Sequence, residues 1–537
     1  MKNRNIRYPY YDVPDLYTLR ELIENGKNKG KNRTVFYTNN VEQRPISFIE
    51  FSELVFCLGT FLLAREYRKN NIGILSENRF EWCLSFFGIC NSSNVVVPLD
   101  KNENMEEIIR LLKHSECKAL FYSEKYKSII EETEDIVCFS IDRIDDYVEE
   151  GRKLIEEGNN VFESIEIDKK DLAAIVYTSG TTGDKKGVML SHENIVTDTV
   201  ATCRNVIASN TQILLPFYHT FSWASGMLAV FIYCVDAHIS IDLKRIIKDL
   251  KQNRPQNISA VPMMVEMIYK NIWNNAKKQN KQDKLKKIIA LSNFLMNIGI
   301  DLRKKLFKEI HESLGGNLET IICGGAALDK EIEKGLYDVG FTVISGYGIS
   351  ECSPVVAVNR NRDFRFGSVG RVLSCNEVKI NDPDEKGIGE IYVSGSNVMS
   401  GYYKDEEATR DAFDEKWFKT GDYGYIDDDG YLYITGRKKN LIVLSNGENV
   451  SAEEIEQKLL KIEHVKEVLV YEEDKKIVAE FYLDGKITEE KLKTDVDKYN
   501  RSVPQHKNIS YIKIRDIPFE KTTTLKIKRG KNENGNI

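Results

Sequence analysis

No Cys-x-x-Cys pair occurs in this chain, although it carries ten cysteines. A zinc site or a disulfide framework therefore has no ligand spacing to rest on. No run of 18 apolar residues occurs either. The nearest, from Ile213 to Val235, is broken by His219 and Ser222, so no membrane-spanning helix is expected. The opening residues Met1 to Arg7 are basic but lead into no apolar segment, and no signal peptide is read. A strongly basic excess is missing as well. Lys and Arg number 76 against 82 Asp and Glu, a formal net charge of −6. That argues against nucleic acid as a main partner, because few phosphate counterions would be released. No internal repeat is visible. What these absences leave is a cytoplasmic, reduced, globular protein of ordinary composition, 42% hydrophobic and 29% charged. At 537 residues it is too long for one core and is expected to form two to four structural units.

What is present is an alternation of strand-like and helix-like segments. Ile72–Leu75, Asn94–Pro98 and Ala119–Tyr122 read as strands, with helices over Arg79–Ile89 and Met105–His114 between them. This pattern predicts parallel sheets wrapped by helices. From Val369 the chain changes to short strands such as Glu390–Val393 and Tyr431–Ile434. After Arg437 a last unit is expected, with a helix at Ala452–Leu460 and strands at Val465–Tyr471 and Ile477–Leu483.

The most informative stretch is Tyr177-Thr-Ser-Gly-Thr-Thr-Gly-Asp-Lys-Lys-Gly187. Three glycines, four hydroxyl side chains and two lysines follow the apolar run Ala173–Val176, which reads as a buried strand. Such a loop can turn its backbone N–H groups onto phosphate oxygens. The P-loop pattern is not matched, since Lys185 falls where a second glycine is required. Ser191 is a plausible N-cap for a helix running to about Val206.

This loop resembles, nearly letter for letter, the signature of the adenylate-forming (AMP-binding) enzymes, and further segments follow in that family's order from about Ile72 to Arg529. The resemblance implies nucleotide contacts from Thr178, Ser179, Gly180, Thr181, Thr182, Gly183 and Lys186. Gly324-Gly325-Ala326 is similar to the adenine-binding loop. In Ser345-Gly346-Tyr347-Gly348-Ile-Ser350-Glu351 the resemblance gives Tyr347 to adenine, Ser350 to the α-phosphate and Glu351 to magnesium. Ser350 stands where the family usually has threonine. Asp422 in Thr-Gly-Asp resembles the ribose clamp, accompanied by Ile434 and Arg437, and Lys439 the hinge residue. Ser445 to Val450, with Gly447 and Glu448, resembles the hairpin lining the thiol channel. Lys526 aligns with the C-terminal catalytic lysine, with Leu525 in place of the usual glycine and Lys521 and Lys528 as competing alignments. Pro216 to Trp223, with Phe217, Tyr218, His219 and Trp223, resembles the aromatic-histidine motif walling the acyl pocket; Gly226 is placed with it and His219 is taken as catalytic.

The family fold implied is α/β, with a large N-terminal domain (1–437) of parallel-rich sheets plus a small barrel-like β region. A small mobile α+β domain (438–537) would carry the hinge and Lys526. The implied reaction is AMP-forming acid–thiol ligation using ATP, Mg²⁺ and coenzyme A. Between Thr211 and Val235 there is no acidic residue to hold an amino group, while Phe217, Phe221, Trp223, Met227, Leu228 and Phe231 alternate with small residues. That composition suits an alkyl chain, and simple core packing suits it too. The expectation is a medium- or long-chain fatty-acid–CoA ligase. A ligase loading an acyl carrier protein, an aryl-acid–CoA ligase and a non-catalytic AMP- or acyl-binding protein stay as alternatives. A monomer or a homodimer fits equally.

Between 277 and 308 the chain is helical in pattern and strongly basic, with Lys277, Lys278, Lys281, Lys284, Lys286, Lys287, Lys304, Lys305 and Lys308 among apolar residues. Three readings remain: a peripheral contact with the inner face of a membrane, a contact with an acidic carrier protein, and a solvated helical insertion.

Overall fold

A computed structural model of the chain describes residues 10–38, 44–179, 185–207, 209–242, 245–443, 449–473, 476–485, 487–521, 527 and 529. The chain divides into two units. The first comprises Met1–Glu377 and Val393–Phe418, the second Val378–Tyr392 and Lys419–Ile537.

Continuous apolar runs place the strands of the first unit. Val95–Pro98 and Ala119–Tyr122 are buried at every position, as parallel strands covered on both faces must be. They belong to a seven-stranded sheet ordered Gly401–Tyr402, Lys185–Ser191, Leu172–Ser179, Val95–Pro98, Asn71–Leu75, Ala119–Tyr122, Val137–Ser140. A second sheet of nine strands runs Arg371–Val372, Val355–Val358, Thr342–Gly348, Thr320–Cys323, Asn257–Ala260, Thr211–Ile213, Ala237–Ile239, Thr34–Tyr37, Pro45–Ser47. Its interior pairings are parallel, and antiparallel pairs close both edges. The parallel-rich architecture expected from the alternation of elements is therefore present.

Helices cover these sheets with apolar faces. Phe48–Ala64 and Phe80–Asn91 bury nearly all their aromatic side chains, and Phe36, Phe51, Phe87 and Phe231 meet edge to face or tilted at 5.0–5.9 Å, a packing worth about 0.5–1.5 kcal/mol per pair beyond area burial. The helix His192–Asn205 starts as expected from Ser191, which accepts from the Asn194 backbone N–H while the Asn194 side chain accepts from the Ser191 N–H.

One strand was not foreseen: between the glycine-rich stretch and the Ser191 cap, Lys185–Ser191 runs antiparallel to Leu172–Ser179. Its signal is the alternation of Val188 and Leu190, both fully buried, with Gly187 and Met189. The preceding lysines mask that period of two.

In the second unit, Val465–Glu473, Lys476–Leu483 and Tyr511–Arg515 form a three-stranded sheet. The helices Ala452–Leu459 and Glu489–Ser502 contribute Ile455, Leu459, Leu492 and Val496 to its core. Strands Trp417–Ile426 and Leu432–Arg437 pair antiparallel, placing Asp422 opposite Arg437.

Candidate active site

The two lysines after the glycine-rich loop have separate tasks. Residues 180–184, which include Gly180, Thr181, Thr182 and Gly183, lie outside the described residues, as does the Ser179 side chain. Thr178 is half-buried and sits opposite Lys186 in the hairpin, as Ser179 does opposite Lys185. Lys185 is tied to Glu103 at 2.7 Å and lies 3.8 Å from Glu107. Lys186 instead holds its ammonium 4.9 Å from the centre of the Tyr402 ring. Tyr402 comes from the short strand Gly401–Tyr402, which pairs with the far side of the hairpin.

The Tyr402 hydroxyl donates to Glu351 Oε1 at 3.0 Å. Burial, and then the charge of Glu351, hold this phenol well above its usual range, so it stays a donor at any working pH. Glu351 sits in the single 3-10 turn Ser350–Cys352, and its backbone carbonyl accepts from the Met399 N–H at 2.8 Å. Lys186, Tyr402 and Glu351 thus form a continuous row. A lone half-exposed carboxylate suits Mg²⁺, which takes one or two carboxylates and completes its shell with phosphate oxygens and water. Among the described residues no group of three or more His, Cys, Asp or Glu could hold a metal unaided.

Glycines set the backbone around this row. Gly346, Tyr347 and Gly348 close the strand Thr342–Gly348. A Cβ at Gly348 would stand 2.1 Å from the Pro354 carbonyl oxygen, so no side chain fits there. Gly325 has φ +88°, and a Cβ at Gly324 would meet the Phe221 ring at 3.1 Å. The loop of Gly324, Gly325 and Ala326 therefore lies directly against the aromatic segment.

That segment is a helix with an unusual middle. Thr220–Ser222 is α-helical, Trp223–Met227 is π-helical and Ala229–Tyr233 returns to α. The Leu228 N–H reaches the Trp223 carbonyl at 2.9 Å, and such single π turns occur frequently at functional sites. Phe217 stacks on Trp82 at 5.0 Å, and the buried Trp223 packs on Phe86 and donates its indole N–H to the Phe217 carbonyl at 2.6 Å. Tyr218 accepts from Asn102 at 3.0 Å, and half-buried His219 lies beside it with ring centres 4.7 Å apart. Gly226 faces Ile213, whose Cγ1 would be 3.1 Å from an added Cβ.

In the second unit, Arg437 Nε stands 3.1 Å from the buried carboxylate of Asp422. The Asp422 N–H donates to Thr420 Oγ1, which donates in turn to the Ile391 carbonyl. Ile434 is opposite Gly424 in the same hairpin. The ammonium of Lys439 is pulled below its usual range by burial and then by Arg437 and Arg529. Lys521 is engaged with Glu467 at 2.6 Å. Lys526, Lys528, Gly447 and Glu448 lie outside the described residues.

The sequence profile of the AMP-binding enzyme family matches residues 23–403. The chain belongs to this family. It is 30% identical over 455 residues to a fatty acyl-CoA synthetase B of Dictyostelium discoideum, covering 76% of this chain and 67% of that one. It is 29% identical over 423 residues to a long-chain-fatty-acid–CoA ligase of Mycobacterium bovis, covering 73% and 69%. The o-succinylbenzoate CoA synthetase of Bacillus subtilis, solved with its acyl-adenylate, superimposes with a TM-score of 0.75 at 22% identity over 94% of this chain and 96% of that one, a likeness of fold.

A cavity of about 360 Å³ between the helices Pro262–Lys278, Gln282–Asn297 and Lys330–Asp338 is lined by Tyr269, Trp273, Leu285 and Ile289. None of the motif residues lines it; Lys286, Asn293, Glu331, Lys334 and Asp338 supply its polar wall.

Reading the sequence did not find three groups that support the Glu351 turn. One is Tyr402. Another is Glu333, buried and pushed up to about 7 by that burial; it accepts from the Ser345 hydroxyl and, at 2.7 Å, from the Gly367 N–H. The third is Asp198, fully buried on the helix His192–Asn205. Its Oδ1 accepts from the Val355 N–H and the Asn397 amide, both at 3.0 Å, and the Asn397 carbonyl accepts from the Ser353 hydroxyl. Its Oδ2 is buried with no acceptor-type contact, and burial holds the carboxyl far above the usual range. Burial therefore favours the neutral acid at Asp198 in the folded chain. The unfolded chain ionises it above its ordinary pKa of 3.8, so folding loses stability as pH rises from there towards the folded value. Asp198→Asn keeps the acceptor and removes that penalty. Its melting temperature is expected to exceed wild type at pH 8, with the gap narrowing towards pH 4 in thermal melts. A deficit equal at all pH values would show an ionised Asp198.

Proposed function

We propose that the protein is an AMP-forming ligase that activates a medium- or long-chain fatty acid and transfers it to coenzyme A. The observation that carries the substrate class is the acid-free segment 211–235. It offers no carboxylate for an amino group, it holds a π-helical turn, and through Phe221 it touches the adenine-loop glycine Gly324. The relatives at 29–30% identity that are named for fatty acyl-CoA formation support the same reading.

In this reading a carboxylate oxygen of the acid attacks the α-phosphorus of ATP, and pyrophosphate leaves. The thiol sulfur of CoA then attacks the acyl carbonyl, AMP leaves, and the thiol proton is released. The acid is already ionised at neutral pH, so the protein's work is positioning and charge compensation. Thr178, Ser179, Gly180, Thr181, Thr182, Gly183 and Lys186 take the phosphates. Gly324, Gly325, Ala326, Gly346, Tyr347 and Gly348 take the adenine, and Ser350 the α-phosphate. Asp422 with Arg437 and Ile434 takes the ribose. Mg²⁺ held on Glu351 would neutralise charge at the phosphates. His219 stands beside the reacting carboxylate, with Phe217, Tyr218, Trp223 and Gly226 along the acyl chain and Gly447 and Glu448 along the thiol channel. Residues 438–537 swing about Lys439 between the half-reactions, as gated enzymes do.

A ligase that loads an acyl carrier protein shares the first half-reaction, and an aryl-acid–CoA ligase shares both. Pyrophosphate release across acids of graded length and benzoate-like acids, with CoA or carrier protein as acceptor, separates the three. No helix among the described residues is long and apolar enough to cross a membrane, and a cytoplasmic enzyme with a peripheral membrane contact fits this reading.

Lys526→Ala is expected to lose on the order of 3–4 kcal/mol of barrier lowering in adenylate formation, while thioester formation from supplied acyl-adenylate changes far less. Lys521→Ala, which removes only an ion pair with Glu467, should leave both nearly intact. The reverse result in single-turnover assays would move the catalytic role to Lys521.

Tyr402→Phe removes a hydrogen bond to a charged carboxylate, worth about 1.5 kcal/mol, or close to tenfold. The magnesium dependence of pyrophosphate release should shift upwards by that factor with CoA affinity unchanged. An unaltered magnesium titration would separate Glu351 from the metal.

Gly226→Leu must displace Ile213 and occupy space along the π turn. If that space takes the acyl chain, the loss in activity grows with chain length, by up to about 0.8 kcal/mol per excluded methylene. A loss equal for all lengths would make Gly226 a packing residue only.

A further inference from the structure

Large apolar side chains stand in water most often in one region. Of the eighteen most exposed among the described residues, seven fall between Met263 and Leu302: Met263, Met267, Leu291, Phe294, Ile298, Ile300 and Leu302. Phe294 and Ile298 are 62% and 59% exposed, and Leu291 is 52% exposed. Single exposed apolar residues are commonplace, but a contiguous set is not.

The helix Gln282–Asn297 carries Leu291 and Phe294, with Ile298 at its C-terminal cap. At about 100° per residue, Lys284, Lys287, Leu291, Phe294 and Ile298 fall within a sector roughly 80° wide. That sector turns away from the buried side marked by Leu285 and Ser292. Lysines occupy its N-terminal half and apolar residues its C-terminal half. Segment 277–308 carries ten basic residues against two acidic ones, in a chain whose net charge is −6. Among the described residues none of Lys277, Lys278, Lys281, Lys284, Lys286 and Lys287 takes part in an ion pair, whereas Lys304 and Lys308 pair with Glu319 and Glu312.

We propose that this face is a docking surface for an anionic lipid bilayer, with Leu291, Phe294 and Ile298 entering the interface and Lys284 and Lys287 on the headgroups. A helix with apolar side chains and unpaired lysines on one face lies in the plane of such an interface, and the lysine stems reach past the apolar groups to the phosphates. A second copy of the chain is disfavoured as the occupant, because a two-fold contact would set the same lysines against one another. The inference does not depend on which acid is activated, since vesicle binding needs neither acid, ATP nor CoA.

The test is co-sedimentation of the full chain with vesicles of phosphatidylcholine alone or mixed with phosphatidylglycerol. Wild type is expected to bind the mixed vesicles, and less as salt rises. Lys284→Gln with Lys287→Gln should lower the partition coefficient about fivefold per lysine. The triple change Leu291→Gln, Phe294→Gln and Ile298→Gln should abolish sedimentation while circular dichroism and pyrophosphate release with a short soluble acid stay as in wild type. Absence of wild-type binding to mixed vesicles, or binding indifferent to both variants, would overturn the proposal. So would equal binding to neutral vesicles. Patch-dependent self-association in light scattering, or patch-dependent binding of an acidic carrier protein without vesicle binding, would assign the face to that other occupant instead.

Discussion

The hydrogen bond from Tyr402 to Glu351 holds together the part of the first unit on which the site depends. Glu351 stands in the turn between Thr342–Gly348 and Val355–Val358, two strands of the nine-stranded sheet, while Tyr402 lies on the edge strand of the seven-stranded sheet. The same residue pair brings Lys186 into line through the Tyr402 ring. The hairpin of Leu172–Ser179 and Lys185–Ser191 on one sheet and the Glu351 turn on the other are thereby fixed to one another through a phenol that burial keeps protonated. Asp198 and Asn397 secure the same junction from beneath, binding Val355 and Ser353 on the C-terminal side of the turn.

Short-range features were legible in the sequence. The glycine-rich stretch, the Ser191 cap, the buried parallel strands and the Tyr-Gly-Ile-Ser-Glu turn are each encoded by residue types at fixed spacings of a few positions. Their physical requirements are local: a capping oxygen, a missing Cβ at Gly348, an apolar run for a strand covered on both faces. The strand Lys185–Ser191 was missed because its alternation is carried only by Val188 and Leu190, behind two lysines that read as loop.

Long-range support was not legible. Tyr402 meets Glu351 across 51 residues and Asn397 meets Asp198 across 199. No periodicity marks such a partner, and an isolated aspartate on an amphipathic helix is normally solvated. Nor does composition separate a π turn from an ordinary helix. The Trp223–Met227 segment reads as apolar either way, and only the Leu228 to Trp223 hydrogen bond makes the distinction.

The resting charges follow one logic. A chain of net charge −6 that binds polyanionic nucleotides must present its cations locally without destabilising the empty fold. Lys185 is committed to Glu103, whereas the Lys186 ammonium rests on the Tyr402 ring; in the proposed function it is Lys186 that would turn to a phosphate. Cation–π contacts of this kind are worth about 0.5–1 kcal/mol at exposed sites, little enough to be exchanged for a charge-assisted hydrogen bond. In the second unit Arg437 rests on Asp422, with Arg437 half in solvent. The Asp422 carboxylate of that pair is buried, and a buried carboxylate is costly to leave without a partner. In the proposed function a ribose would have to supply hydrogen bonds in exchange for any that Arg437 gives up.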